Sequence, residues 1–158
     1  MEDFQRKLLA AQGYAELGML DDALAEMDTL DEGTRERPEV LEMRTLILMR
    51  ASRWPEALKT ARALCSIAPE NGAGWVHTAF CLHEMGDSAL ARDTMLAAPP
   101  ALRTEPVYYY NLACYECALG HIEPARAHLQ RSFAMDKKYR EFARNDPDLE
   151  PLRQMGKV

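Results

Sequence analysis

The sequence predicts an all-α chain of four helix–turn–helix hairpins closed by a C-terminal capping segment. Three observations predict it. Sliding the chain by 34 residues holds one register through four copies without insertion. Apolar residues recur at three- and four-residue spacings within each copy, as a helix with one buried face requires. Helix-stopping residues then share one column of the register: Gly18, Ser52, Gly86 and Gly120. A residue with positive φ ends a helix there, and glycine adopts that conformation without steric cost.

The other columns follow from packing. Ala23, Ala57, Ala91 and Ala125 align, as do the small residues Ala11, Thr45, Ala79 and Ala113. Small side chains in both columns mark where the two helices of a hairpin cross closely. Met27, Ala61, Met95 and Leu129 form a further apolar column, and Leu24 and Leu58 agree beside it. Lys7, Leu41, Trp75 and Tyr109 give a large residue in three of four copies, filling the space beside the crossing.

In chain order, the repeats span about residues 4–33, 38–68, 71–98 and 105–136. Residues 137–156 form the cap, and residues 1–158 make a single domain, as the length favours. Copy one is the weakest, with Lys7 in the large column and no closing proline, as an end repeat with one wet face permits. Asp21 and Asp87 stand where second helices restart and are the expected N-caps. The link DEGTRERP is polar, with Gly33 as breaker and Pro38 opening the next helix. Copy two carries EVLEMRTLILMR, an apolar run too long for one packed face, and Trp54-Pro55 opens its second helix. Copy three starts at Asn71 and stops early at Pro99-Pro100. Copy four is EPVYYYNLACYECALGHIEPARAHLQRSFAMD. Beyond it, KKYREFARND reads as a short helix broken at Asn145-Asp146-Pro147. Asp148 is the expected cap of DLEPLRQM, and Gly156 its stop. Phe142, Leu149 and Leu152 are expected to face inward over the last repeat.

This pattern resembles the tetratricopeptide repeat (TPR). The matching residues are Trp75, Ala79, Leu82, Gly86 and Ala91 in copy three, and Tyr109, Leu112, Ala113, Gly120 and Ala125 in copy four. Pro69 matches the proline that closes a repeat, and an ending of the form DPDLxxLR is a familiar companion of such arrays. The resemblance implies a right-handed TPR-type solenoid whose first helices line a concave groove. It places the partner-binding positions at Leu8 and Gln12, at Glu42, Leu46 and Met49, at Val76, Phe80 and His83, and at Tyr110, Cys114 and Cys117. That surface is mostly apolar, and Met and aromatic side chains suit an adaptable groove for a helix or an extended peptide. The Lys/Asn/Arg clamp of one chaperone-binding subgroup would fall on Leu8, Gln12, Met43, Ala73 and His77, so it is absent.

Composition narrows the partners. The net charge of −6 argues against nucleic acid or an anionic membrane. There is no run of 18 apolar residues, so no transmembrane helix is expected. The N-terminal stretch MEDFQRKLLAAQ is acidic where a signal peptide is basic, so a cytoplasmic location is expected. The four cysteines read as thiols rather than as a disulfide framework. Cys114-x-x-Cys117 lies mid-helix, away from the N-terminal dipole that activates redox pairs. A metal site of His83, Cys114 and Cys117, with His77 or Cys81 as fourth ligand, is the alternative to simple filling. No phosphate loop, dinucleotide fingerprint or catalytic triad is present. The sequence therefore predicts a non-enzymatic adaptor without cofactor that binds a protein or peptide. A secretion-type chaperone and a homodimer through the same apolar face are the alternatives.

Overall fold

Chain reversal is set by the column of glycines. In the computed structural model, which describes residues 2–158, Gly18, Ser52, Gly86 and Gly120 have φ of 77°, 55°, 91° and 79°. Ser52 is the one non-glycine residue with positive φ among those described. The described residues form helices and no strand.

The chain divides into two compact units, Met1–Cys81 and Leu82–Val158. The first unit holds α1 (Asp3–Glu16), α2 (Leu20–Asp28), α3 (Glu32–Arg35), α4 (Pro38–Arg50) and α5 (Trp54–Ile67). It also contains most of α6 (Gly72–Glu84), which runs through the division. Hairpins α1–α2 and α4–α5 pair closely, and α2 lies against α4. Ala11, Ala23, Thr45, Ala57 and Ala61 are fully buried, as the small columns require. The Thr45 hydroxyl donates to the Leu41 carbonyl at 2.7 Å, so this polar group is buried without an unmet hydrogen bond. A Cβ at Gly74 would lie 3.0 Å from Cys65 Sγ and 3.1 Å from Cys65 N, so α6 approaches α5 there closer than alanine allows.

The second unit holds the end of α6, α7 (Ser88–Ala97), α8 (Pro106–Ala118) and α9 (Ile122–Met135). The cap follows as α10 (Lys138–Asn145), a 3-10 turn over Pro147–Leu149, and α11 (Glu150–Gln154). Ala91, Ala113, Ala125, Met95 and Leu129 are buried. Ser132 is buried too, its hydroxyl tying α9 to α8 through the Pro106 carbonyl at 2.9 Å.

Several local expectations are corrected. The polar link contains the short helix α3, whose N-cap Asp31 accepts from the Thr34 amide at 3.0 Å and the Thr34 hydroxyl at 2.6 Å. Asp87 caps α7 as expected, accepting from the Leu90 amide at 3.0 Å. Asp21 does not cap α2; it lies inside the first turn, where its charge suits the helix dipole. Pro99-Pro100 leads into a 3-10 turn, Pro100–Thr104, whose Leu102 is buried. In the cap, Asp146 and not Asp148 does the capping, accepting from the Asp148 amide at 3.0 Å. Leu149 and Leu152 face inward, but Phe142 is 59% exposed. Ala143, one residue on, takes the inward position of α10, and Phe142 packs edge-on against Tyr139 instead.

Candidate functional site

In the first unit, the first-helix face is open. Leu46 is 40% exposed, Gln12 is exposed, and Leu8, Glu42, Met49 and Val76 are half-buried. Between α1 and α4 lies a hollow of about 330 Å³ lined by Gln12, Ala15, Glu16, Met43, Leu46, Ile47 and Arg50. Its floor is Ala15 and Ile47, both buried, and its walls are Met43 and Leu46. Gln12 Nε2 donates to Glu16 Oε1 at 2.9 Å across the rim. Arg50 forms no ion pair with any described residue. Met43, Glu16 and Arg50 are outside the predicted groove set. They lie on the flank of that face, which a register of four positions per helix skips. Phe80, predicted as an exposed anchor, packs its ring 5.9 Å from that of Trp54. A second hollow of about 480 Å³ lies among α2, α3, α4 and α5, with a mixed-charge rim that includes Arg44 paired to Asp28 at 2.7 Å.

In the second unit the corresponding face is covered. Tyr110, Cys114 and Cys117, predicted as groove floor, are only 7%, 4% and 4% exposed. The 3-10 turn of the cap packs on α8. The Tyr110 hydroxyl donates to Asp146 Oδ2 at 2.6 Å, and its ring lies 5.3 Å from that of Tyr139. The Cys114 thiol faces the same Asp146 oxygen at 4.0 Å. His83 is held from two sides: its Nε2 lies 3.0 Å from Asp148 Oδ2, and its Nδ1 2.8 Å from Ser88 Oγ. Its ring also packs 5.0 Å from that of Tyr115. The fold thus joins His83, Tyr110, Cys114, Asp146 and Asp148 into one polar knot beneath a leucine-bearing segment.

Electrostatics in the knot follow from burial and from the two carboxylates. The hydrogen bond to Asp148 holds the His83 imidazolium above the ordinary histidine range, against the opposing effect of burial. Burial drives the Cys114 thiol well above its usual range, with Asp146 and Asp148 adding to it. Burial likewise raises Cys117 and, with the Asp146 bond, Tyr110. These thiols stay protonated at neutral pH, which removes the thiolate that redox chemistry needs. No disulfide links the four cysteines.

The predicted metal alternative of His83, Cys114 and Cys117 is not the set the fold assembles. His83 instead groups with Glu84 and Asp148, and Cys114 with Asp146 and Asp148, while Cys117 enters neither group. The two candidates for a fourth ligand, His77 and Cys81, both sit in the first unit, and burial lowers the pKa of His77. Elsewhere in the second unit, the buried Glu116 is met by His121 Nδ1 at 2.5 Å and by Arg92 Nε at 4.0 Å. These contacts are structural and lie at a helix–helix junction.

Asp146 and Asp148 were not singled out as functional residues by sequence reasoning. The signal available was two acids at the head of an apolar turn, with Tyr110 and His83 as polar groups of the predicted groove able to meet them.

No family model matches the chain, and no curated protein is similar to it. Solved structures are. MamA (residues 41 to the end) from Desulfovibrio magneticus RS-1 superposes with a TM-score of 0.75 at 17% identity, covering 87% of this chain and 78% of that one. A thermophilic TPR protein of Thermus thermophilus gives 0.73 at 17% identity, covering 99% and 81%. The type III secretion translocator chaperone SycD of Yersinia enterocolitica gives 0.66 at 19% identity, covering 81% and 100%. At these identities the likeness shows the fold, and the fold is the all-α tetratricopeptide type. No helix among the described residues is long and apolar enough to cross a membrane.

Proposed function

We propose that this chain is a non-enzymatic interaction scaffold whose working face is the first-helix face of residues 1–81. The observation that carries the reading is the open apolar hollow between α1 and α4, walled by Met43 and Leu46 with Gln12, Glu16 and Arg50 on its rim. An apolar recess with a few polar rim groups is what a protein interface uses to seat an anchor side chain. Leu8, Glu42, Met49 and Val76 flank it and extend the face. Phe80 contributes through its packing on Trp54. A cytoplasmic location belongs to the same reading.

The test is an unbiased selection of displayed peptides on the purified chain. Peptides recovered on the wild type should lose at least about tenfold in affinity on Leu46→Glu, with the melting curve unchanged. Peptides that bind both proteins equally would sink the reading. The likeness to the SycD chaperone favours a second reading, in which the client is a translocated protein rather than a resident partner. It would be supported if the chain keeps an aggregation-prone client soluble and Leu46→Glu does not.

A further inference from the structure

One part of the molecule shows what a face of this type accepts. A shift of 68 residues, two repeat lengths, carries Ala15, Glu16, Leu46 and Arg50 of the first-unit hollow onto His83, Glu84, Cys114 and Ala118 of the second unit. Of the second set, His83 and Cys114 are covered by the chain itself, while Glu84 and Ala118 are exposed. Asp148 is bonded to His83 at 3.0 Å and Asp146 approaches Cys114, while Leu149 and Leu152 of the same segment are fully buried. The occupant is a 3-10 turn running into α11: two carboxylates, then leucines three positions apart, with Asp146 capping the turn. The cap residues Leu149 and Leu152 are on one face of that turn, as three-residue spacing places them.

We propose that the first-unit hollow binds a helical turn of the same kind from a partner protein: an acidic residue followed directly by a leucine, with a second leucine three positions later. This rests on the scaffold reading above and names the partner class it would take. The apolar part of the lining differs from its counterpart in the direction the proposal needs. Ala15 replaces His83 and Leu46 replaces Cys114, so the recess is more apolar and suits the leucines. A cation is available at the rim in Arg50, which stands where the second unit has the exposed Ala118 and which forms no ion pair with a described residue. A guanidinium offers a carboxylate two parallel hydrogen bonds, so the acid of the incoming turn is matched.

The experiment uses the full chain and a labelled synthetic peptide of residues 143–154, ARNDPDLEPLRQ, as the probe. Binding is read by fluorescence anisotropy and by amide shifts. The expected result is saturable binding with shifts at Leu46, Ile47 and Arg50. Both Leu46→Asp and the surface change Arg50→Glu should weaken it by at least about tenfold, and a peptide with both leucines changed to aspartate should not bind. His83→Ala should leave it unchanged. No binding up to about 1 mM overturns the proposal. So does binding that survives Leu46→Asp and Arg50→Glu but falls with His83→Ala, which would mean displacement of the resident cap. Self-association through the hollow, seen as peptide-independent dimers lost on Arg50→Glu, overturns it as well. If the unbiased selection recovers Leu46-dependent peptides without the acid–leucine pattern, the scaffold reading stands and this inference falls.

Discussion

His83 is the residue whose chemistry the environment changes most informatively. Its folded-state pKa is raised above 6.5, chiefly by the hydrogen bond to Asp148. A raised histidine pKa stabilises the folded state fully below the unfolded value, and the contribution is lost as pH rises through the folded value. Charged hydrogen bonds contribute about 1.5–3 kcal/mol. The Asp148 side chain is 35% exposed, so screening brings the expectation for His83→Gln down to about 1–2 kcal/mol at pH near 6. That cost should shrink as pH is taken up toward 9, through the raised pKa of His83. Denaturant midpoints of both proteins at the two pH values check it, and a cost independent of pH would show that the ion pair is not formed. The difference between the proteins is the right quantity, because burial lowers the pKa of His77 and His128, which contributes with the opposite sign. Ser52 offers a second residue-scale test. It holds φ of 55°, a left-handed conformation costing an L-residue about 1–2 kcal/mol, while glycine loses about 0.5–1 kcal/mol more backbone entropy on folding. The first effect wins, so Ser52→Gly should stabilise by about 0.5 kcal/mol. Gly86→Ala, at φ of 91° in open space, should destabilise by about 1 kcal/mol for backbone reasons alone.

Among the elements, hairpins are held at the small columns and the cap by its leucines. Ala57 is fully buried where α4 and α5 cross. Ala57→Leu should cost about 1–3 kcal/mol or more through overpacking, whereas Ala25→Leu on the exposed face of α2 should be nearly neutral. Equal effects in chemical denaturation would refute a tight crossing. In the cap, Arg153 joins α11 to α10 by donating to the Ala143 carbonyl at 2.7 Å, and Lys157 pairs with Glu123 on α9. Leu149 belongs to the 3-10 turn that packs on α8 and is fully buried, so Leu149→Ala should cost about 2–5 kcal/mol. It should also raise the reactivity of Cys114 and Cys117 toward a thiol reagent, because the cap is what shields them. Fast labelling in the wild type, already equal to that of the variant, would show that the cap does not seal this face.

At the scale of the whole chain, charge and apolar surface act against each other. A net charge of −6 makes two copies repel, and salt screens that repulsion. The scaffold reading therefore expects one copy per particle in sedimentation over a wide concentration range, in low and high salt alike. A dimer that tightens with salt and disappears in Leu46→Glu would make the hollow a self-association surface and retire the reading. The fully covered face of the second unit has no such exposure to lose.

The sequence by itself determined the hairpins. The 34-residue register placed the reversals at Gly18, Ser52, Gly86 and Gly120 and the crossings at the alanine columns. Both are local demands, one on φ and one on side-chain size, and each recurs four times. It also identified the first-helix positions from which a face would be built. It did not determine which of those positions stay open. Tyr110, Cys114 and Cys117 occupy the register of Leu8, Gln12 and Ala15. Yet the first three are buried under residues 146–152, and among the second three Leu8 and Gln12 remain reachable. Only the tertiary structure decided this, because the cap meets α8 through bonds of long sequence separation, Tyr110 to Asp146 and His83 to Asp148. A periodicity describes what each repeat offers. Whether the offer is taken depends on where an aperiodic segment folds back.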